Sequence, residues 1–430
     1  MKLVSLCSWP LLITILGGTC VLPTKGEGTN DVAQHPVLTL ENSIRLALEG
    51  NPELQASRAR VEASAGRRYQ SKLWPNPELE LNAEDWPVSG RREFSDAKQT
   101  IGLTQTLPFP GKKSLEKQMG SAAVTLSETE LALRQTELVR DVKAGFYRVL
   151  TSEKLVSVAT QLMTAAEASA ATARKRVEAG AAAYQEQLRA EVQTEQTRTE
   201  LNNFERDLAT ARQEFAALLG RNDLQQATFA GSLAEKADLG LLGDMTDEQV
   251  SRHPSCRGAQ ANLAQAKLAN RRAELEPYPD VKVGLAGGRI GESGESIIQL
   301  GFTLPLPILD RGHGKQQEAR ANVRAAESEL RAARLQLHRA WANSRERYRA
   351  AIEQVRNYRE RILPKAEEAV RLVQTGFEQG KFNFIDLVDT QRTTAEARLA
   401  YQGRLLELNM GQAELEAVLQ PQLTTSATSE

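Results

Sequence analysis

The side chains whose types and spacing could do chemistry are three carboxylates set at matching distances from two glycines. Glu186 lies six residues after Gly180, and Asp386 lies six residues after Gly380. Asp389 follows three residues later, which puts it on the face of Asp386 in any helix that continues through both. Carboxylates gathered around a narrow mouth attract cations and repel anions. The same three acids could instead cover an exposed helix face, and Asp386 could help cap the helix that starts beside it. Other chemistries find little support. His35, His253, His313 and His338 are scattered, and none has a neighbour at metal-ligand spacing. Five methionines offer no thioether ladder for a soft metal. His313, between two glycines, reads as a turn residue, and Cys256 as a small packed residue. No nucleophile–base or acid–base carboxylate pair stands out, so neither enzyme activity, a cofactor nor a metal held by the chain itself is expected.

The elements that would position the acids occur twice. Asn51-Pro52 opens an apolar-periodic helix ending at Trp74-Pro75-Asn76-Pro77, and His253-Pro254 opens another ending at Glu276-Pro277-Tyr278-Pro279. Ile101-Gly102-Leu103-Thr104 returns as Leu300-Gly301-Phe302-Thr303, and Val177-Glu178-Ala179-Gly180 returns as Phe377-Glu378-Gln379-Gly380. A period near 200 residues is too long for a solenoid and marks a duplicated unit of domain size. Each unit reads as a helix, two short strands, a very long helix, a glycine turn and a return helix. Residues 38–220 form the first repeat, 221–246 a linker and 247–420 the second repeat; 421–430 read as a disordered tail. In the first repeat, alternation over Glu78–Asn82 and Thr100–Leu107 gives two half-buried strands. No proline interrupts 111–252, and Leu138 to Val177 carries apolar or small residues alternately four and three apart, a coiled-coil seam. In the second repeat, Val281–Leu285 and Ile297–Phe302 read as strands around a Gly-rich loop. The helix from Lys315 should kink at Pro364, and Ile385–Leu419 is the return helix.

Composition agrees with long helices packed through small residues. Aromatics make up 5% of the 430 residues and the mean hydropathy is negative. A net charge of −1 supplies no basic field for nucleic acid. Lys2 followed by Leu11–Leu16 reads as a secretory signal peptide spanning 1–20, and 21–37 as a flexible lead. Cys20, after Gly17-Gly18-Thr19, is a candidate for lipidation or is lost in ordinary cleavage nearby. After the signal, no apolar run approaches the roughly 20 residues of a membrane helix.

Four amphipathic strands per chain cannot close a barrel, and open sheet edges are not tolerated in lipid. Outer-membrane barrels use even strand numbers from about 8 upward, so several copies would have to contribute. Trp74, Trp86, Phe109 and Tyr278 lie near strand ends, where an interfacial aromatic belt would sit or where aromatics would cap a soluble core.

The motifs Asn51-Pro52-Glu53-Leu54, Trp74-Pro75-Asn76-Pro77-Glu78-Leu79, Thr104 to Lys112, Ile362-Leu363-Pro364 and Phe377 to Gln391, in this order within a repeat, resemble the TolC family of outer-membrane efflux proteins. The resemblance covers about 38–420, and Pro75 to Leu79 with Pro110-Gly111-Lys112 is most similar to its CzcC-like heavy-metal branch. It implies a mainly α trimer with a 12-stranded outer-membrane barrel continued by a periplasmic helical tunnel. It also implies a passive exit duct for divalent metal cations, served by a periplasmic adaptor and an inner-membrane pump of the resistance–nodulation–division type. The tips at Gly180 and Gly380 would meet the adaptor, and Glu186, Asp386 and Asp389 would ring the entrance. Phe377 and Phe382 stand where the family carries a constriction aromatic and a basic partner, so no polar lock through these two is expected. A multidrug or type I secretion duct of the same fold is the alternative cargo reading. A periplasmic adaptor and a structural coiled coil are the non-channel alternatives.

Overall fold

The computed structural model describes residues 37–85, 97–291 and 293–419. The signal peptide, Cys20, His35, Trp86 and the C-terminal tail lie outside the described residues.

Both repeats start the same way because the same capping chemistry starts them. Helix α1 (Leu40–Gly50) stops at Asn51, whose side chain accepts the Leu54 N–H at 3.1 Å and caps α2 (Pro52–Lys72). Proline fits directly after that cap, where its missing N–H costs nothing. The short α5 (Asp247–Arg252) precedes His253, which likewise caps α6 (Pro254–Glu274) by accepting the Ser255 N–H.

The long helices follow. Helix α3 (Lys112–Glu178) has 67 residues, about 100 Å at 1.5 Å per residue. It returns as α4 (Tyr184–Leu218). The predicted seam is buried at Val142, Val149, Ala159, Met163 and Ala173. The turn is a Schellman closure: Gly180 at φ 73° lets its own N–H reach the Val177 carbonyl, while the Ala181 N–H reaches that of Arg176. Gly380 at φ 71° does the same through Phe377 and Gly376.

In the second repeat the long helix is broken. Helix α7 (His313–Asn357) passes through one π-helical turn (Tyr358–Ile362) into α8 (Leu363–Glu378), before α9 (Phe384–Leu419) returns. The interruption lies just ahead of Pro364, where its ring and missing N–H disrupt the preceding turn.

The strands β2 (Glu78–Glu84), β3 (Lys98–Leu107), β5 (Val281–Ile290) and β6 (Ser296–Thr303) form one antiparallel sheet in the order β2-β3-β5-β6. Here the sequence reading is corrected. Ala286 to Ile290, read as part of a Gly-rich loop, continues β5. Gly288 is needed there because a Cβ would collide with the Gln99 carbonyl on the neighbouring strand.

Two further short strands, β1 (Val37–Leu38) and β4 (Thr228–Phe229), pair in parallel. They cover a core of Val142, Phe146, Val149, Phe215 and Leu219. A second core around Tyr348, Leu408 and Leu415 is closed by Leu241, and the Tyr348 hydroxyl accepts the Asp238 N–H at 2.9 Å. The segment between the repeats thus seals one core in each. Among the described residues no helix is long and apolar enough to cross a membrane.

Candidate functional site

Two regions carry the features a duct would need: the sheet, and the hairpin tips at the opposite end of the long helices.

Strand alternation gives the sheet two faces of opposite character. Cross-strand partners put Leu79 beside Leu103, Leu103 beside Leu285 and Leu285 beside Leu300. The other face aligns Glu80 with Gly102, Gly102 with Ala286 and Ala286 with Gln299. Burial inverts the usual rule for a protein in water: Ile101 is 58% exposed, whereas its neighbour Thr100 is 6% exposed. Leu79, Leu81, Leu103, Ile298, Leu300 and Phe302 are exposed with it. Charges on the polar face are mostly paired, with Glu84 2.9 Å from Lys98 and Glu78 3.2 Å from Lys282. Below the strands, Phe109 stacks on Tyr278 at 4.7 Å. Asp280 accepts both the Phe109 N–H, at 2.8 Å, and the Lys112 ammonium, at 2.9 Å. The last contacts join the end of β3 in the first repeat to the start of β5 in the second.

At the tips, the two hairpins meet in an apolar cluster. Ala173 and Ala190 of the first repeat pack with Phe377, Phe384 and Leu387 of the second. Small residues on one side let the aromatic rings of the other approach, with Phe377 and Phe384 at 6.1 Å between centroids.

The three predicted acids are in three different settings. Glu186 is half-buried, its Oε1 3.4 Å from Nη1 of Arg176. Both atoms are buried, and they sit at ion-pair distance without hydrogen-bond geometry. Asp386 is exposed and its Oδ2 accepts the Asn383 N–H at 3.1 Å, which closes the start of α9. The capping reading of Asp386 is therefore realised within the chain. Asp389 is exposed one turn on, its charge felt by Arg392. No hydrogen bond or ion pair joins the three acids to one another among the described residues.

Sequence reasoning missed Arg176. Its guanidinium lies over the Phe377 ring, 4.7 Å from the centroid, so Glu186, Arg176 and Phe377 form a chain of contacts from one repeat to the other. Cation–π attraction of this kind strengthens as water is excluded. Arg176 sits four residues before a glycine turn, where a basic residue usually reads as a partner of the helix dipole. Gly376 was also missed. Phe382 folds back against it, and a Cβ on Gly376 would collide with the Cδ2–Cε2 edge of the ring. Gly180 and Gly380 have nothing within 4 Å of a Cβ, so both turns are open at the surface.

His253 is buried and His313 starts α7 after Gly312, while Cys256 is buried beside Val250 and Leu337. Among the described residues no group of His, Cys, Asp and Glu is arranged to hold a metal ion.

Known proteins share this sequence and architecture. The family model described as "Outer membrane efflux protein" matches 43–221 and 246–419. The cobalt-zinc-cadmium resistance protein CzcC of Cupriavidus metallidurans is 27% identical over 95% of this chain and 97% of its own length. The nickel-cobalt-cadmium resistance protein NccC of Alcaligenes xylosoxydans xylosoxydans is 24% identical over 70% of this chain and 67% of its own. Among solved structures, the outer-membrane channel OprN superposes with a TM-score of 0.76 at 18% identity, covering 90% of each chain. CusC superposes at 0.77 and 14% identity, covering 92% of this chain and 95% of the other. The adaptor and structural coiled-coil readings give way to these matches, and the family is one of transport channels rather than of enzymes. The chain belongs to the outer membrane efflux protein family.

Proposed function

We propose that this protein is the passive exit duct of a metal-cation efflux assembly. Three copies close a 12-stranded barrel in the outer membrane, and the helices continue it as a tunnel through the periplasm. The inverted sheet is the observation that carries this reading. A leucine-rich face left exposed, with Thr100, Gly102 and Thr104 of β3 sheltered on the opposite face, suits lipid outside and water inside. Four strands per chain need further copies to remove the open edges at β2 and β6. A helix of about 100 Å is several times the bilayer thickness and must leave it. Energy comes from an inner-membrane pump, and the tips at Gly180 and Gly380 are the surface for a periplasmic adaptor.

Divalent heavy-metal cations are the cargo that CzcC and NccC suggest by name. Glu186, Asp386 and Asp389 bias the entrance toward cations. Asp389 is the informative position, because Asp386 also caps a helix and Glu186 is paired. In planar bilayers, Asp389→Asn should lower cation-over-anion selectivity without changing helix content. Unchanged reversal potentials and unchanged block by multivalent cations would remove the acids from the mechanism.

A deletion strain graded on Co²⁺, Zn²⁺, Cd²⁺ and Ni²⁺ tests the cargo directly, with selective sensitivity to these ions expected. The fusaric acid resistance protein FusA of Burkholderia cepacia, 25% identical over 66% of this chain, favours a second reading with organic cargo. Sensitivity confined to organic compounds would select that one.

A further inference from the structure

We infer that a groove between α2 and α3, just below the sheet, holds the headgroup of an anionic phospholipid from the leaflet nearest the helices. This rests on the proposal that the leucine-rich face lies in lipid around a duct for cations. It adds a site for one class of lipid where that face ends.

Below the sheet, charges form a line across three helices. Lys113 of α3 is 3.3 Å from Glu116, and Glu116 is 3.6 Å from Arg272 of α6. Arg272 is 3.1 Å from Glu276, which is 2.5 Å from Lys315 of α7. Each carboxylate in this line is already shared by two cations. Helix α2 lies beside α3 and brings cations alone, because Arg67, Arg68 and Lys72 follow Glu62 with no acid before Glu78. Arg67 donates to the Ser64 hydroxyl at 2.7 Å, and none of the three meets a carboxylate among the described residues. The two helices approach closely here: a Cβ on Gly120 of α3 would lie 2.6 Å from the Ser71 hydroxyl of α2. The groove beside this contact is lined by Arg67, Gln70 and Ser71 of α2 and by Lys113, Glu116 and Met119 of α3. Its volume of about 390 Å³ falls within the usual range of ligand clefts, about 300–1,000 Å³. Arg67 offers it an unneutralised guanidinium, whose planar fork matches a phosphate.

Two further observations select a lipid as the occupant. First, exposed apolar side chains adjoin the unpaired cations. Leu73 and Trp74 are exposed at the end of α2, and Leu306, Ile308 and Leu309 are exposed beyond β6. Lys72 precedes Trp74 by two residues, and Arg311 follows Leu309 by two. Cations bordering an apolar band match the headgroups and acyl chains of a leaflet. Second, the cations do not suit the lumen. Unneutralised arginine and lysine inside a duct for metal cations would repel the cargo, so their place is the outer wall.

Native mass spectrometry of the full-length protein in mild detergent tests the site, with dioleoyl-phosphatidylglycerol or dioleoyl-phosphatidylethanolamine added. Phosphatidylglycerol should be retained in preference, and excess inorganic phosphate should not displace it. Arg67→Gln should weaken its retention about fivefold, and Arg67→Gln with Arg68→Gln further, as expected for about 1 kcal/mol per cation at an anionic surface. Retention of phosphatidylethanolamine should not change. Lys365→Gln, at an exposed position of α8, should behave as the unmodified protein. Equal retention of the two lipids, or a preference that Arg67→Gln leaves intact, would overturn the site. Displacement by inorganic phosphate would make the groove one for a soluble anion and overturn the lipid. Raised cation selectivity of Arg67→Gln in planar bilayers would put the arginine in the lumen and overturn the site while leaving the duct standing. Release of the unmodified protein from membranes by alkali without detergent would instead overturn the membrane reading on which the inference rests.

Discussion

Phe382 and Gly376 are a matched pair, and their matching is a matter of one atom. The ring lies where a side chain on Gly376 would begin, while the Gly376 carbonyl accepts the Lys381 N–H at 2.7 Å to close the turn. Gly376→Ala should therefore force the ring outward and cost about 1–3 kcal/mol, the usual penalty of overpacking. Truncation of the ring should recover most of the loss, so Gly376→Ala with Phe382→Ala should melt closer to Phe382→Ala alone than additivity allows. Thermal denaturation of the four proteins in detergent checks this, and additive losses would show that the ring does not depend on the notch. The pair was illegible in the sequence because glycine six residues before a phenylalanine has no characteristic spacing. Arg176 was hidden differently: its partners Glu186 and Phe377 come from two different hairpins, and only the packing of α3 and α4 against α8 and α9 makes them neighbours. Glu186, Asp386 and Asp389 were visible because they follow turns that glycine announces, but their environments were not. Repeat equivalence alone gives no sign that Glu186 is paired while Asp386 caps a helix.

Elements were the most legible level, since each boundary has a local cause. Proline after a capping side chain starts α2 and α6, and positive-φ glycines end α3 and α8. The strand β5 resisted because glycine there serves close strand approach, whereas in sequence it signals a loop. The two helix starts differ in one respect with a measurable result. Asn51 caps α2, but His253 caps α6 with an imidazole that must offer Nδ1 as an acceptor. Burial holds the His253 ring below the ordinary imidazole range, and its bond to the Ala417 carbonyl only partly opposes this. The folded ring is thus neutral at pH values where the unfolded chain takes up a proton, so the unfolded state binds more protons there. Its stabilisation is complete above about pH 6.5 and declines as pH falls through the lowered native value. His253→Asn copies the non-titrating cap of the first repeat. Its melting temperature should fall less than that of the unmodified protein between pH 7.5 and 5.5. Parallel profiles would exclude His253 as a source of acid sensitivity.

At the scale of the whole molecule, duplication was plain in the sequence, and it dictates both the sheet order and the two-core middle. Burial of the sheet was not legible. Alternation identifies two faces, but only the structure shows that on β3 the polar residues Thr100, Gly102 and Thr104 are sheltered while Ile101 and Leu103 are left exposed. The sheet and the hairpins also differ in the distance along the chain that their contacts span. The α3–α4 hairpin closes around residues 179–183 by contacts that grow outward from the turn, whereas β3 must find β5, with Leu107 beside Val281. Local contacts form early and distant ones late, because loop closure is unfavourable until the contacts it permits are made. The helices should therefore be finished while the strands are still apart, which delays display of the leucine-rich face until the last stage of maturation. Pulsed hydrogen exchange during refolding into detergent should find amides of α3 and α4 protected before those of β3 and β5. Protection of the strands first would reverse this order in time.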